Sequence, residues 1–237
     1  MICLQVNTVN LKGQARPDII SKNPGYMVNA LYLWQPPGFD GNPCENMVSL
    51  RNLLLTACLL GACHVPYPRI LMETEMGVIL LEVYPDKAPV TAANFLAYVD
   101  EDRFRGAVFY RIVRRDNQPG DSIRIAVIQG GLFQDDHPAM LPPIPHETTR
   151  ETGILHKDGV ISMARWHPGT ATSEFFICVG DQPELDYNGR RNPDGQGFAA
   201  FGKVIDGMDV VREIHRLPVK GQYLDPAIRI LKISRLD

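Results

Sequence analysis

The chain lacks an excess of positive charge: 24 lysines and arginines stand against 27 aspartates and glutamates over 237 residues, a formal net charge of -3. Nucleic-acid binders show a basic patch or stripe, so this balance argues against DNA or RNA as a partner. Cysteines are few and irregular. The five (Cys3, Cys44, Cys58, Cys63 and Cys178) form no CxxC pair and are odd in number, which argues against a disulfide framework. The six histidines, at 64, 137, 146, 156, 167 and 215, have no metal-ligand spacing. GxSxG, HExxH, a Walker loop and a GxGxxG after a strand are all missing. There is no internal repeat, no low-complexity tract, and no apolar run of the ~20 residues that a membrane-spanning helix requires. An enzyme built on this sequence has to work without covalent, metal or acid-base machinery.

What is present fits one compact domain plus some extra chain. Residues 1–46 show no sustained helical or strand period and have Pro and Gly scattered through them. They read as an upstream extension, unstructured or arising from a mis-assigned start, with translation beginning at Met47. MVSLRNLLLTACLLGAC, Met47 to Cys63, has one arginine (Arg51), an apolar run from Leu53 to Ala62 and a small-residue site, the pattern of a signal peptide. Leu60-Gly61-Ala62-Cys63 also has the form of a bacterial lipoprotein box, which makes Cys63 a candidate lipid anchor; Leu55-Thr56-Ala57-Cys58 is a second, poorer match. The alternative is a buried apolar helix of the main domain. The signal-peptide reading implies an exported, periplasmic protein that is either free or membrane-anchored.

From Ile70 the texture becomes that of a folded domain, 70–237. Ile70–Glu73 and Gly77–Tyr84 are strand-like runs around a Glu-Met-Gly turn, closed by Pro85 and Pro89. VTAANFLAYVD places Ala92, Phe95, Leu96 and Val99 on one helical face, with Thr91 as the expected N-cap. Further strands are expected at Val108–Val113, Ile123–Gln129, Val160–Ala164, Phe175–Val179, Ala199–Val204 and Ile228–Leu236. A second helix near Met208–Arg216 turns Val210, Val211, Ile214 and Leu217 inward. Many short strands, two helices and Gly/Pro-rich turns predict a mainly β fold, a closed antiparallel barrel with helical caps. DYNGRRNPDGQG, Asp186 to Gly197, faintly has the look of a calcium loop but lacks the bidentate Glu and the flanking helices, so it reads as a surface loop. Cys178, inside FFICVG, reads as a small buried hydrophobe.

Several stretches, in order over about 170 residues, carry a family resemblance: VYPDKAPVTAANFLAYV, VFYRIV, VIQGG, GVISMAR, SEFFICVG and FAAFGKVIDGMDVV. The domain from Ile70 resembles the cyclophilins, peptidyl-prolyl cis-trans isomerases. The resemblance implies an eight-stranded antiparallel β-barrel capped by two α-helices, with a substrate groove on the outer barrel face and no cofactor. Arg111 would be the catalytic arginine, against the alternative of a barrel-surface salt bridge. Gln129 would flank the groove, Phe176, Leu185, Val127 and Phe198 would form the proline pocket, and Met163, Ala164 and Glu174 would line the groove beside the peptide. The chain departs from the family pattern at Ala126-Val127 (usually Phe-Met), Arg165 (Asn), Glu174 (Gln) and Phe198 (His). It departs again at Glu184, where many eukaryotic members hold cyclosporin with a tryptophan. The insert RRDNQPGDSIR lengthens the connection from Arg111 to Gln129. The expected function is isomerisation of Xaa-Pro bonds in proline-containing polypeptides during folding, by a monomer. The alternative is a proline-peptide binding or chaperone module with little turnover.

Overall fold

The structure, a computed structural model, describes residues 66–134 and 136–236. The extension 1–46 and the signal-like segment 47–63, with Cys63, lie outside these residues. Eight strands are present: β1 (Arg69–Thr74), β2 (Gly77–Val83), β3 (Val108–Val113), β4 (Val127–Gly131), β5 (Val160–Met163), β6 (Phe175–Cys178), β7 (Ala199–Asp206) and β8 (Tyr223–Leu236). They close into an antiparallel barrel in the order β1-β2-β7-β5-β6-β4-β3-β8. Closure leaves no unpaired sheet edge among these strands. The expected Glu-Met-Gly turn joins β1 to β2, where Thr74 donates its hydroxyl to the Gly77 carbonyl at 2.7 Å and accepts from the Met76 N–H at 3.1 Å.

Two helices of ordinary length are present, α1 (Pro89–Asp100) and α3 (Met208–Arg216), with a one-turn helix, α2 (Thr149–Thr152), between them and a 3-10 turn at Pro183–Leu185. Helix α1 packs against β7 and β8, and α3 against β2 and β4. The apolar spacing read from the sequence does what it implies. Phe95 is fully buried, with its ring 4.9 Å from Phe201, 5.4 Å from Phe104 and 5.8 Å from Phe175. Burying such a ring contributes about 2–3 kcal/mol. In α3, Val211 and Ile214 are fully buried while Val210 and Leu217 pack at the edge of the core. Gly207 begins α3 with φ at 84°, and any Cβ there would run into the Val78 carbonyl oxygen, so glycine is required on both counts.

Thr91 is not the N-cap of α1. The helix starts earlier, with Pro89 in its first turn and Ala88 as the cap residue, which offers no side-chain oxygen. The free N–H groups of the first turn are satisfied from elsewhere. The Glu147 carboxylate accepts from the Val90 N–H at 3.1 Å, and from both the Thr91 N–H and the Thr91 hydroxyl at 2.7 Å. A negative charge there also meets the positive end of the helix dipole.

Inward and outward side chains alternate along the central strands and form two separate cores. Ile128, Phe175, Ile177, Ile161 and Met163 point into the barrel with the helix residues. Val113, Val127, Phe176 and Cys178 point outward and form a smaller cluster with Ile125 and Leu185. Replacing Glu147 by alanine leaves the α1 N–H groups without an anchor. We expect it to lower stability by about 1–2 kcal/mol, seen as a lower urea midpoint at unchanged slope.

Candidate functional site

Strict alternation along β3 would put Tyr110 and Arg111 on opposite faces of the barrel. Instead the pairing of β3 slips by one residue against β4 between Phe109 and Arg111, and at the same place the register against β8 jumps from Ile228 to Tyr223. This is a β-bulge, which bends a strand and re-aims its side chains. Phe109 and Ile112 remain in the barrel core, while Tyr110, Arg111 and Val113 all face the outer surface. Beyond the bulge the register forms one cross-strand row: Arg111 opposite Gln129, Gln129 opposite Phe176, and Phe176 opposite Ser162. The guanidinium, the amide and the pocket phenylalanine are therefore set by backbone pairing, not by loops. At Gly130 an added Cβ would sit 2.7 Å from the Val108 carbonyl and 2.9 Å from the Phe109 ring, so this row tolerates no side chain beside it on the inner face.

These residues line an open groove of about 810 Å³. Of the positions expected from the sequence, Arg111, Val127, Gln129, Ala164, Glu174, Phe176, Leu185 and Phe198 all line it. Met163 does not: it is 1% exposed and lies in the barrel core, because it falls on the inward phase of β5. The strand run expected to begin at Ile123 starts only at Val127, and Ile125 reaches the groove from irregular chain.

The pocket floor is apolar, with Val113, Val127, Phe176 and Leu185 each at most 4% exposed. The Phe198 ring meets Phe176 edge-on at 5.2 Å. Cys178 forms part of the same cluster and is fully buried, and that burial drives its thiol well above the usual range. It is a packing residue, as its strand setting suggested.

Arg111 is held by two glutamines. Its Nη1 donates to Gln129 Oε1 at 2.9 Å, while Nε and Nη2 both donate to Gln222 Oε1, at 2.9 and 2.6 Å. Neither partner carries a charge. Arg111 is therefore not one half of a surface salt bridge, and two of its five N–H groups remain for a ligand. Burial pulls its pKa down from the usual arginine value. Gln129 in turn donates to the Tyr110 hydroxyl at 2.6 Å. Burial, and then the nearby Glu174 carboxylate, push the Tyr110 phenol upward, so it stays protonated at neutral pH. Nothing in the sequence marked Gln222 or Tyr110. Gln222 lies 111 residues from Arg111 and arrives with the start of β8.

The charged rim residues are mostly committed to the protein. The Arg165 side chain is 1% exposed, pairs with both oxygens of Asp194 at 2.8 and 3.0 Å, and lies over the Phe198 ring with its guanidinium carbon 5.3 Å from the centroid. It fastens the 186–197 loop over the pocket. Glu184 turns away from the groove onto Arg190, at 2.6 Å, and that hydrogen bond lowers its pKa to about 2. Glu174 accepts from the Phe133 N–H at 3.0 Å and the Ser173 hydroxyl at 3.2 Å through Oε1, while its buried Oε2 has no partner.

One arrangement has the form of a hydrolytic triad. His156 sits between Asp186, 2.7 Å from Nδ1, and Ser162, 3.0 Å from Nε2. Ser162 is fully buried and His156 is 1% exposed, so no substrate reaches the hydroxyl. The His156 ring stacks beneath Phe176 at 5.9 Å, and the chain of hydrogen bonds ties β5 to the turn that carries Leu185. It supports the pocket from behind.

A protein-family model described as "Cyclophilin type peptidyl-prolyl cis-trans isomerase/CLD" matches residues 69–235. The chain is 34% identical over 167 residues to "Peptidyl-prolyl cis-trans isomerase" of Acinetobacter baylyi, covering 70% of this chain and 81% of that one. It is 37% identical over 168 residues to "Peptidyl-prolyl cis-trans isomerase A" of Dickeya dadantii, covering 70% and 80%. Among solved structures, a cyclophilin-type peptidyl-prolyl cis-trans isomerase of Cryptosporidium parvum superposes with a TM-score of 0.57 at 20% identity, covering 72% of this chain and 98% of that one. The same protein, crystallised in the presence of the dipeptide Ala-Pro, matches with a TM-score of 0.57 at 21% identity, covering 71% and 99%.

Proposed function

The chain belongs to the cyclophilin-type peptidyl-prolyl cis-trans isomerases and acts on Xaa-Pro bonds, and from that premise we propose that Arg111, Gln129 and the apolar pocket beside them carry the reaction. No bond is made or broken, so no nucleophile, metal or general base is needed. The obstacle is amide resonance, a barrier of ~18–20 kcal/mol, softened before proline. As the bond twists, the lone pair localises on the prolyl nitrogen. A guanidinium donating to that nitrogen is stronger in the twisted state than in either planar one, which is catalysis by differential binding. The pocket of Val113, Val127, Phe176, Leu185 and Phe198 holds the ring while the carbonyl side turns. The observation that carries this reading is the cross-strand row, which places Arg111, Gln129 and Phe176 side by side on one barrel face. The neutral partners of Arg111 leave its charge uncancelled at the reacting bond.

The clients are proline-containing polypeptides in the course of folding, bound by a monomer. The pattern of Met47–Cys63 supports export to the periplasm, with Cys63 as a possible site of lipid attachment.

Arg111→Ala should lower kcat/KM on an Ala-Pro peptide by about 10²-fold or more, the usual effect of removing one preorganised electrostatic group. The thermal midpoint should shift little, since the freed glutamines face an open groove. Near-full activity in the variant would refute the electrostatic role. If the unmutated chain binds the peptide without turning it over, the groove is a holding site and not a catalytic one.

Cyclosporin should inhibit poorly. Glu184 offers no donor at the position of the family's indole, and its carboxylate is already engaged by Arg190. Every lost 1.4 kcal/mol of contact is about tenfold in affinity. Glu184→Trp should recover part of the sensitivity in the same inhibition curve, whereas tight inhibition of the unmutated protein would sink this alignment of Glu184. Expressed from Met47 in a Gram-negative host, the protein should leave the cytoplasm without residues up to Ala62, and Cys63→Ser should release it from the membrane fraction. Intact cytosolic protein would overturn the export proposal.

A further inference from the structure

Two buried side-chain polar atoms among the described residues have no hydrogen-bond partner, Glu174 Oε2 and Asn192 Nδ2, and both residues line the groove. Buried polar groups are nearly always paired within the protein, so an unpaired donor in the wall of a binding groove, on a residue that is itself partly exposed, points to a partner that arrives from outside and meets the amide as it turns outward. Asn192 belongs to the 186–197 loop, whose ends, Leu185 and Phe198, are both pocket residues. Beside it in sequence, Arg191 also lines the groove and is only 16% exposed. Arg191 is fixed in place: its Nη1 donates to the Ile123 carbonyl at 2.7 Å and lies 2.9 Å from Asp121. Of its guanidinium nitrogens, only Nη1 has a hydrogen-bond or ion-pair partner among the described residues.

The Arg191 anchor belongs to the 114–124 insert, which is itself built and not loose. Gln118, 1% exposed, donates to the carbonyls of Arg114 at 2.6 Å and Ile125 at 2.8 Å, and accepts from the Ile125 N–H at 3.2 Å. The insert and the 186–197 loop thus meet through Arg191 at the proline-pocket end of the groove. Charge in the surface hollow next to this end, lined by Arg115, Arg124, Glu184 and Arg190, is unbalanced. Glu184 is taken by Arg190 and Asp121 by Arg191, while Arg115 and Arg124 form no ion pair among the described residues.

We propose that Arg191 and Asn192 form an acid-recognition subsite, which takes the carboxylate of an aspartate or glutamate close in sequence to the isomerised proline. This inference rests on the reading of the groove as the Xaa-Pro site. A carboxylate fits because it accepts from both side chains at once and brings the negative charge that the neighbouring hollow lacks. A neutral carbonyl uses only one of the donors, and a lysine side chain is repelled. Asp121 does not compete decisively, since its side chain is 47% exposed and its attraction is screened by water.

The test uses the full chain and proline peptides carrying Glu, Gln or Lys at each of the two positions before and after the proline. Binding is read by NMR titration, separately from turnover. At one position Glu should bind about threefold to tenfold more tightly than Gln, with Lys weakest, and the preference should shrink as salt is raised. Asn192→Ala should remove most of that preference at an unchanged thermal midpoint, because the side-chain nitrogen has no internal bond to lose. Arg191→Gln should remove it as well. Equal binding of Glu and Gln peptides at all four positions, a preference that survives both substitutions, or no binding by any peptide overturns the inference. Turnover without a Glu preference defeats this subsite alone, whereas a Glu preference without turnover defeats the isomerase reading of the groove and leaves the subsite standing.

Discussion

One extra residue in β3 governs everything on the outer face of this barrel. The bulge between Phe109 and Arg111 keeps Phe109 and Ile112 in the core and lets Tyr110 and Arg111 share one surface. Without it, a period of two would bury the guanidinium or expose the aromatic core. Closure of the barrel then locks the register of β4, β6 and β5 behind β3, because no strand can slip without breaking ladders on both sides. Functional groups on strands are held more tightly than groups on loops, and here the three central ones are neighbours on adjacent strands.

The second constraint is that the outer face needs a hydrophobic core of its own. Val113, Val127, Phe176, Cys178 and Leu185 are nearly as buried as the barrel interior, yet they sit outside it. They stay buried because loops are pinned over them: Arg165 on Asp194, Asp186 on His156, and Arg191 on Ile123. Most of the charges that make the rim look altered are structural fasteners. Their individual ion pairs contribute little where water reaches them, but the Arg165 side chain is buried and its bidentate pair is geometrically specific. Arg111 is the contrast, since it is held only by neutral amides and keeps its charge for a ligand.

Chemistry and packing therefore divide the same groove. At the Val127 end lie the apolar pocket and the cationic Arg191 corner. At the Gly131 end lies the Glu174 carboxylate, seated over Gly131 because any Cβ there would occupy its place. The triad-like set Ser162, His156 and Asp186 shows why residue identity alone does not assign an activity. The same three side chains that would hydrolyse an ester at a surface serve as a prop when the serine and histidine are covered.

Much of the domain was legible in the chain. The hairpin turn, both helical faces, the pocket position of Phe176, and the flanking positions of Arg111 and Gln129 follow from local apolar periods and ordered family stretches. These are short-range properties, and the structure keeps them. Other features depend on which residues meet across long separations. Thr91 could pass for a cap until Glu147, 56 residues away, supplied the carboxylate. Met163 lay beside groove residues in sequence but fell on the inward phase of β5. Gln222 had no local signal at all, and the bulge at Tyr110 disguised the alternation of β3. Local periodicity determines what a segment can become, whereas register, burial phase and the partner of each charge exist only once the barrel closes.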